Sequence, residues 1–88
     1  MDNKNSSVDL VKGNVYTFKT GGRELKGITV GMGKSGFSLT PKDRAEYMGT
    51  HNTNGALFEV TRKEGRFSDI RLVYFVKADA EERMVLVN

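Results

Sequence analysis

The chain has 88 residues, of which 38% are hydrophobic and 28% charged, and its formal net charge is +3. This composition predicts one globular domain and excludes a membrane-spanning helix, because no apolar run approaches the roughly 20 residues that a span requires. The lack of cysteine excludes a disulfide framework, a thiolate zinc site and a cysteine nucleophile.

The chain begins with a polar segment. Residues 1–7 hold no large apolar residue beyond Met1, so we expect a disordered N-terminus followed by a single domain over residues 8–88. Aromatic and β-branched residues then alternate within 14–20, which predicts a first strand.

Glycines mark the next two turns. Gly21-Gly22 predicts a hairpin between the first strand and a second strand over 23–30. The glycine-rich turn 31–36 follows, and residues 37–39 resume as a short strand. The turn spells G-x-G-x-x-G, but a strand rather than a helix follows it, so it does not predict a dinucleotide-binding fold.

One short helix is predicted near residues 41–48. Thr40 suits the N-cap position, Pro41 the first helical position, and Asp43 completes a capping box. Gly49 is placed to end the helix.

The second half of the chain is again extended. Strands are predicted over 56–62 and 67–77, then a charged turn or single helical turn over 78–82, and a closing strand over 84–87. Several short strands at this spacing favour an all-β fold, a small single-domain β-barrel with the one short helix.

Basic residues outnumber acidic ones most strongly between residues 12 and 44. This balance favours an acidic partner, with nucleic acid first and an acidic protein second. The expected nucleic-acid-binding residues are Lys19, Arg23, Lys26, Lys34 and Arg71.

The glycine-rich turn is a candidate anion site, since such turns present backbone N–H groups. Binding of a phosphate-bearing nucleotide or cyclic dinucleotide at this turn is a further alternative function. The residues concerned are Gly33, Lys34, Ser35 and Gly36.

The strand over 70–76 is apolar on both faces, whereas a one-sided sheet alternates apolar with polar residues. We therefore expect Val73 and Phe75 to form an interface, most simply in a homodimer. The alternative function is a protein-interaction module or small inhibitor, of phage origin in one version, that acts through this strand.

Two family resemblances arise. Residues 13–39 resemble the bent hairpins of Sm-like small barrels, through Gly13, Tyr16, Phe18, Gly21, Gly22, Gly27, Phe37 and Leu39. Residues 23–87 resemble a degenerate PilZ domain, in which Gly36 matches the family's x-Ser-x-x-Gly motif while Gly31 and Gly33 replace its Asp or Asn and its Ser. The second resemblance implies a domain that acts through protein contacts.

Nothing in the sequence identifies a catalytic residue. His51 is the single histidine and lies in a polar loop, so neither a metal site nor acid–base chemistry is indicated. We expect a non-enzymatic, cytoplasmic regulatory binding module without cofactor, metal or membrane partner.

Overall fold

The computed structural model describes residues 7–21, 23–31 and 33–87. The expectation of disorder over 1–7 falls on residues 1–6, which lie outside this description. Within the described residues the elements are β1 (Val15–Phe18), β2 (Leu25–Thr29), β3 (Gly36–Leu39), β4 (Arg44–His51), β5 (Gly55–Glu64), β6 (Phe67–Val76), α1 (Lys77–Arg83) and β7 (Met84–Leu86).

The strands form one antiparallel sheet in the order β3-β2-β6-β5-β4-β1-β7. The sheet curls into a half-barrel, which confirms the prediction of a strand-rich fold with one short helix. Helix α1 connects β6 to β7, which stand four places apart in the sheet, and it packs Ala80 into the core.

Aromatic rings from four strands fill the concave side. Phe58 of β5 lies at the centre, with ring centroids 6.2 Å from Tyr16, 5.3 Å from Tyr47 and 5.7 Å from Phe75. All four rings are buried.

The helix predicted near 41–48 is absent, because this segment forms a turn and then β4. The capping-box chemistry is present but closes the turn: the Asp43 carboxylate accepts from the Thr40 N–H at 2.8 Å, and the Asp43 N–H donates to the Thr40 carbonyl at 3.0 Å. Ala45 and Tyr47 are both buried, a period of two that suits a strand.

The predicted hairpin at Gly21-Gly22 is also wrong. β1 pairs with β4 and β7, whereas β2 pairs with β3 and β6, so three strands separate β1 from β2. At Gly27 strands β2 and β6 lie close together: a Cβ there would lie 2.6 Å from the Phe75 ring, so only glycine fits this approach. The hairpin that does form joins β2 to β3 through the glycine-rich turn.

Candidate functional site

The hairpin of β5 and β6 extends beyond its neighbours. Pairing of β4 with β5 ends at Arg44 and Thr61, and the strand pairing of β2 with β6 ends at Thr29 and Val73. Residues 62–71 therefore project as a two-stranded ribbon, which we call the arm. Its tip is a two-residue turn, next to which Phe67 is 78% exposed.

The outer face of β6 carries an apolar stripe. Ile70, Leu72 and Val76 are 59%, 40% and 54% exposed, and Tyr74 between them is half-buried. The Tyr74 ring stacks on His51, with 4.6 Å between the ring centroids. We call these four β6 residues the outer stripe, a set of apolar groups that nothing in the described chain covers fully.

The expectation that Val73 and Phe75 form an interface is wrong, because they lie on the buried face of the sheet. Both side chains are essentially fully buried, because the concave side of the curled sheet is the core. The second apolar face of this strand is the outer stripe, which includes Ile70 and Leu72. The sequence showed two apolar faces but not which one the sheet would enclose.

An open cavity of about 450 Å³ lies between the arm and the glycine-rich turn. It forms where β2 leaves the sheet beside β6. Its lining residues are Thr29, Val30, Gly33, Ser35, Asp69, Ile70, Arg71 and Leu72. The structure thus brings Arg71 and two residues of the expected anion turn to one place.

The turn is held by its own hydrogen bonds. The Ser35 N–H donates to Thr29 Oγ1 at 3.0 Å, and the Thr29 N–H donates to the Ser35 carbonyl at 2.8 Å. The Gly33 N–H donates to the Gly31 carbonyl. The Ser35 hydroxyl also lies 3.2 Å from Thr29 Oγ1. The amides of Gly33 and Ser35 are therefore engaged within the turn and do not form the anion site that the sequence predicted. Gly36 pairs with Ile28 in the sheet.

Arg71 forms an ion pair with Asp69. Arg71 Nε donates to Asp69 Oδ2 at 2.7 Å, and both side chains are about half exposed. An exposed pair of this kind contributes little to stability, so Arg71 can exchange Asp69 for an acidic group of a partner at small cost.

The five expected nucleic-acid-binding residues do not form one patch. Lys34 and Arg71 lie at the cavity end of β2, while Arg23 precedes the other end. Lys26 is exposed on β2. Lys19 follows β1 and is half-buried, with its N–H bonded to the Arg83 carbonyl at 2.8 Å.

An ion pair at the root of the arm was not predicted. Arg62 Nε and Nη2 donate to the two oxygens of the buried Asp43 carboxylate, each at 2.8 Å. Nη2 also donates to the Ser38 carbonyl at 2.9 Å, and the guanidinium lies 4.5 Å from the centroid of the Phe37 ring. No pattern in the sequence connects positions 43 and 62, because the pair depends on how β5 packs beside the turn.

The two charges hold each other ionised. Burial alone raises the pKa of Asp43, but the hydrogen bonds from Arg62 and Thr40 outweigh it, so the pKa lies below its ordinary value. The hydrogen bond to Asp43 likewise raises the pKa of Arg62. This pair fixes the arm to the body of the sheet.

Among the described residues no three His, Cys, Asp or Glu side chains cluster as a metal site would require. Within the same residues no helix is long and apolar enough to cross a membrane. No protein-family model, curated protein or solved structure matches the chain. The arm, the outer stripe and the cavity adjoin one another, because Ile70 and Leu72 of the stripe also line the cavity.

Proposed function

We propose that this chain is a non-enzymatic, cytoplasmic protein-binding module whose partner docks on the arm and the outer stripe. The observation that carries the proposal is the exposure of Ile70, Leu72 and Val76 on one face of one strand. Contiguous exposed apolar groups rimmed by polar residues are typical of interaction sites.

The charges around this surface favour an acidic partner. The exposed bases near the arm and cavity outnumber the exposed acids there. The bases are Lys34, Lys63, Arg66 and Arg71, and the acids are Glu64 and Asp69. A partner with acidic groups around an apolar centre would match both properties and would associate faster at low salt.

Selection of peptides from a random phage-displayed library tests the proposal. We expect the wild type to enrich peptides whose affinity falls about tenfold when Ile70→Ser and Leu72→Ser remove two apolar contacts. The matched control is Val85→Ser with Leu86→Ser, which removes two exposed apolar groups from β7. No enrichment, or an equal loss in the control, would contradict the proposal.

Nucleic acid remains a second candidate, supported by Lys34 and Arg71 at one end of the cavity. Under this alternative a labelled single-stranded oligonucleotide binds at low salt, and its affinity falls steeply as salt rises because bound phosphates release counterions. Lys34→Ala with Arg71→Ala would weaken that binding, whereas Lys12→Ala would not. Failure of oligonucleotide and heparin to bind at low salt would remove this candidate.

A further inference from the structure

The backbone of β6 has an open edge in the arm. The Val30 N–H donates to the Leu72 carbonyl at 2.8 Å, so the backbone groups of Leu72 face β2. Because neighbouring residues of an antiparallel strand face opposite sides, those of Ser68 and Ile70 also face the β2 side. Those of Asp69 and Arg71 face β5, with which they pair.

The space along the open edge of β6 beside Ser68 and Ile70, which we call the lane, is not occupied by the glycine-rich turn. At Gly31, where φ is +107°, the chain turns away from β6. Beyond Val30, no described residue of the turn hydrogen-bonds to the backbone of β6. The hydrogen bonds between Thr29 and Ser35 hold the turn in this position, and the cavity occupies the space where a neighbouring strand would continue.

Side chains along this lane alternate in chemistry. Ile70 and Leu72 lie on the outer face, and Asp69 and Arg71 lie on the opposite face. A strand laid in the lane would place every second side chain against the apolar residues. The side chains between them would lie near Arg71, where a carboxylate of the added strand can replace the half-exposed Asp69 as the partner of Arg71.

We infer that the open edge of β6 accepts an extended segment of the partner as an added strand, with acidic and apolar side chains in alternation. This inference rests on the proposed protein-binding function and names its mode. Strand addition takes affinity from backbone hydrogen bonds and specificity from alternate side chains. The open stretch of β6 accommodates about five residues.

Amide hydrogen exchange, followed by NMR, tests the inference with a blocked hexapeptide that alternates glutamate and valine. At saturation we expect the amides of Ser68 and Ile70 to exchange about tenfold more slowly, or slower still. The amides of Asp69 and Arg71 should not change, because they already face β5. A hexapeptide with lysine in place of glutamate is the control and should bind more weakly.

A pair of variants separates backbone pairing from side-chain contact. Ile70→Ala keeps the N–H group, whereas Ile70→Pro removes it without breaking a bond to β5. We expect the hexapeptide to bind about tenfold more weakly to Ile70→Pro than to Ile70→Ala. Equal affinity for the two variants would overturn strand addition.

The remaining outcomes distinguish this inference from the function on which it rests. If library-selected peptides bind but neither they nor the hexapeptide slow exchange at Ser68 and Ile70, strand addition fails and the protein-binding function stands. If no selected peptide binds, both fail. If these amides become protected as protein concentration rises without peptide, the occupant is a second copy, and the acidic segment is the wrong partner.

Discussion

Asp43 and Arg62 join the arm to the body of the protein through an ion pair between a buried carboxylate and a partly buried guanidinium. We expect Asp43→Asn to lower the free energy of unfolding by about 3 kcal/mol, because it leaves a partly buried guanidinium without its counter-charge. Urea denaturation measures this value. Asp69→Asn, which breaks the half-exposed pair with Arg71, is the matched control and should cost under about 1 kcal/mol. Equal losses of unfolding free energy in the two variants would mean that the pair of Asp43 and Arg62 stabilises the fold no more than the exposed pair does.

The same carboxylate makes stability depend on pH. The folded pKa of Asp43 is depressed, so the unfolded chain binds more protons on acidification. The ionised Asp43 carboxylate stabilises the fold fully at pH values above its pKa in the unfolded chain, about 3.9. This stabilisation is lost as the pH falls from that value toward the lower pKa of Asp43 in the folded protein. When the pH is lowered below about 4, we expect the urea concentration at the midpoint of unfolding to decrease in the wild type. The decrease should be smaller in Asp43→Asn. Parallel pH profiles for the two proteins would contradict this assignment.

Gly27 is needed for space rather than for backbone conformation. A Cβ at this position would lie 2.6 Å from the Phe75 ring and 2.7 Å from the Tyr74 carbonyl oxygen. We expect Gly27→Ala to cost about 2 kcal/mol, measured by urea denaturation, because both neighbours are packed in the sheet. Gly36→Ala is the control on the neighbouring strand, since no heavy atom lies within 4 Å of its Cβ position. A similar small change in both variants would show that β2 can shift without cost.

The alternation of side-chain types along the chain predicted the strands well. The capping residues Thr40 and Asp43, in contrast, predicted a helix where the chain forms a turn and a strand. Period-two patterns predicted β1, β2, β5 and β6 close to their observed bounds. The box formed by Thr40 and Asp43 fits either a helix start or a tight turn, and only the packing of Ala45 and Tyr47 against the aromatic core decides in favour of a strand. The helix lies at α1 instead, where the sequence allowed a single helical turn.

The arm is the element most separated from the rest of the fold, because its two strands pair only with each other. We expect the ladder amides of Glu64 and Phe67 to exchange about tenfold faster or more than those of Phe58 and Val73 in the same hairpin. Exchange followed by NMR without any peptide measures this difference. Uniform protection along the hairpin would show that the arm opens only when the whole sheet does.

At the scale of the whole molecule, the sequence indicated a basic surface and an apolar strand but not their arrangement. Lys34 and Arg71 lie at the cavity end of β2, whereas Lys19, Arg23 and Lys26 lie elsewhere. Only the three-dimensional path of the chain places Arg71 beside the glycine-rich turn. The enclosure of Val73 and Phe75 follows from the direction in which the sheet curls. That direction depends on seven strands together and is not encoded in any one of them.

The expectation of a homodimer rested on Val73 and Phe75, and their burial removes its basis. Bases on the arm and turn would also repel a second copy at low salt. We therefore expect a monomer of 9.8 kDa in sedimentation equilibrium at micromolar concentrations. A dimer that Ile70→Ser with Leu72→Ser dissociates would instead make self-association the role of the outer stripe.

The strand order also governs the sequence of events during folding. The hairpins β2–β3, β4–β5 and β5–β6 each join neighbouring segments, whereas β1 must pair with β7 from the opposite end of the chain. Loop-closure entropy makes such distant pairing costly until the intervening chain is ordered. We therefore expect the central hairpins to form first and the pairing of β1 with β7 to form late. We expect a chain whose β1 and β7 are not yet paired to associate more readily with other chains, because the edges of both strands are still open.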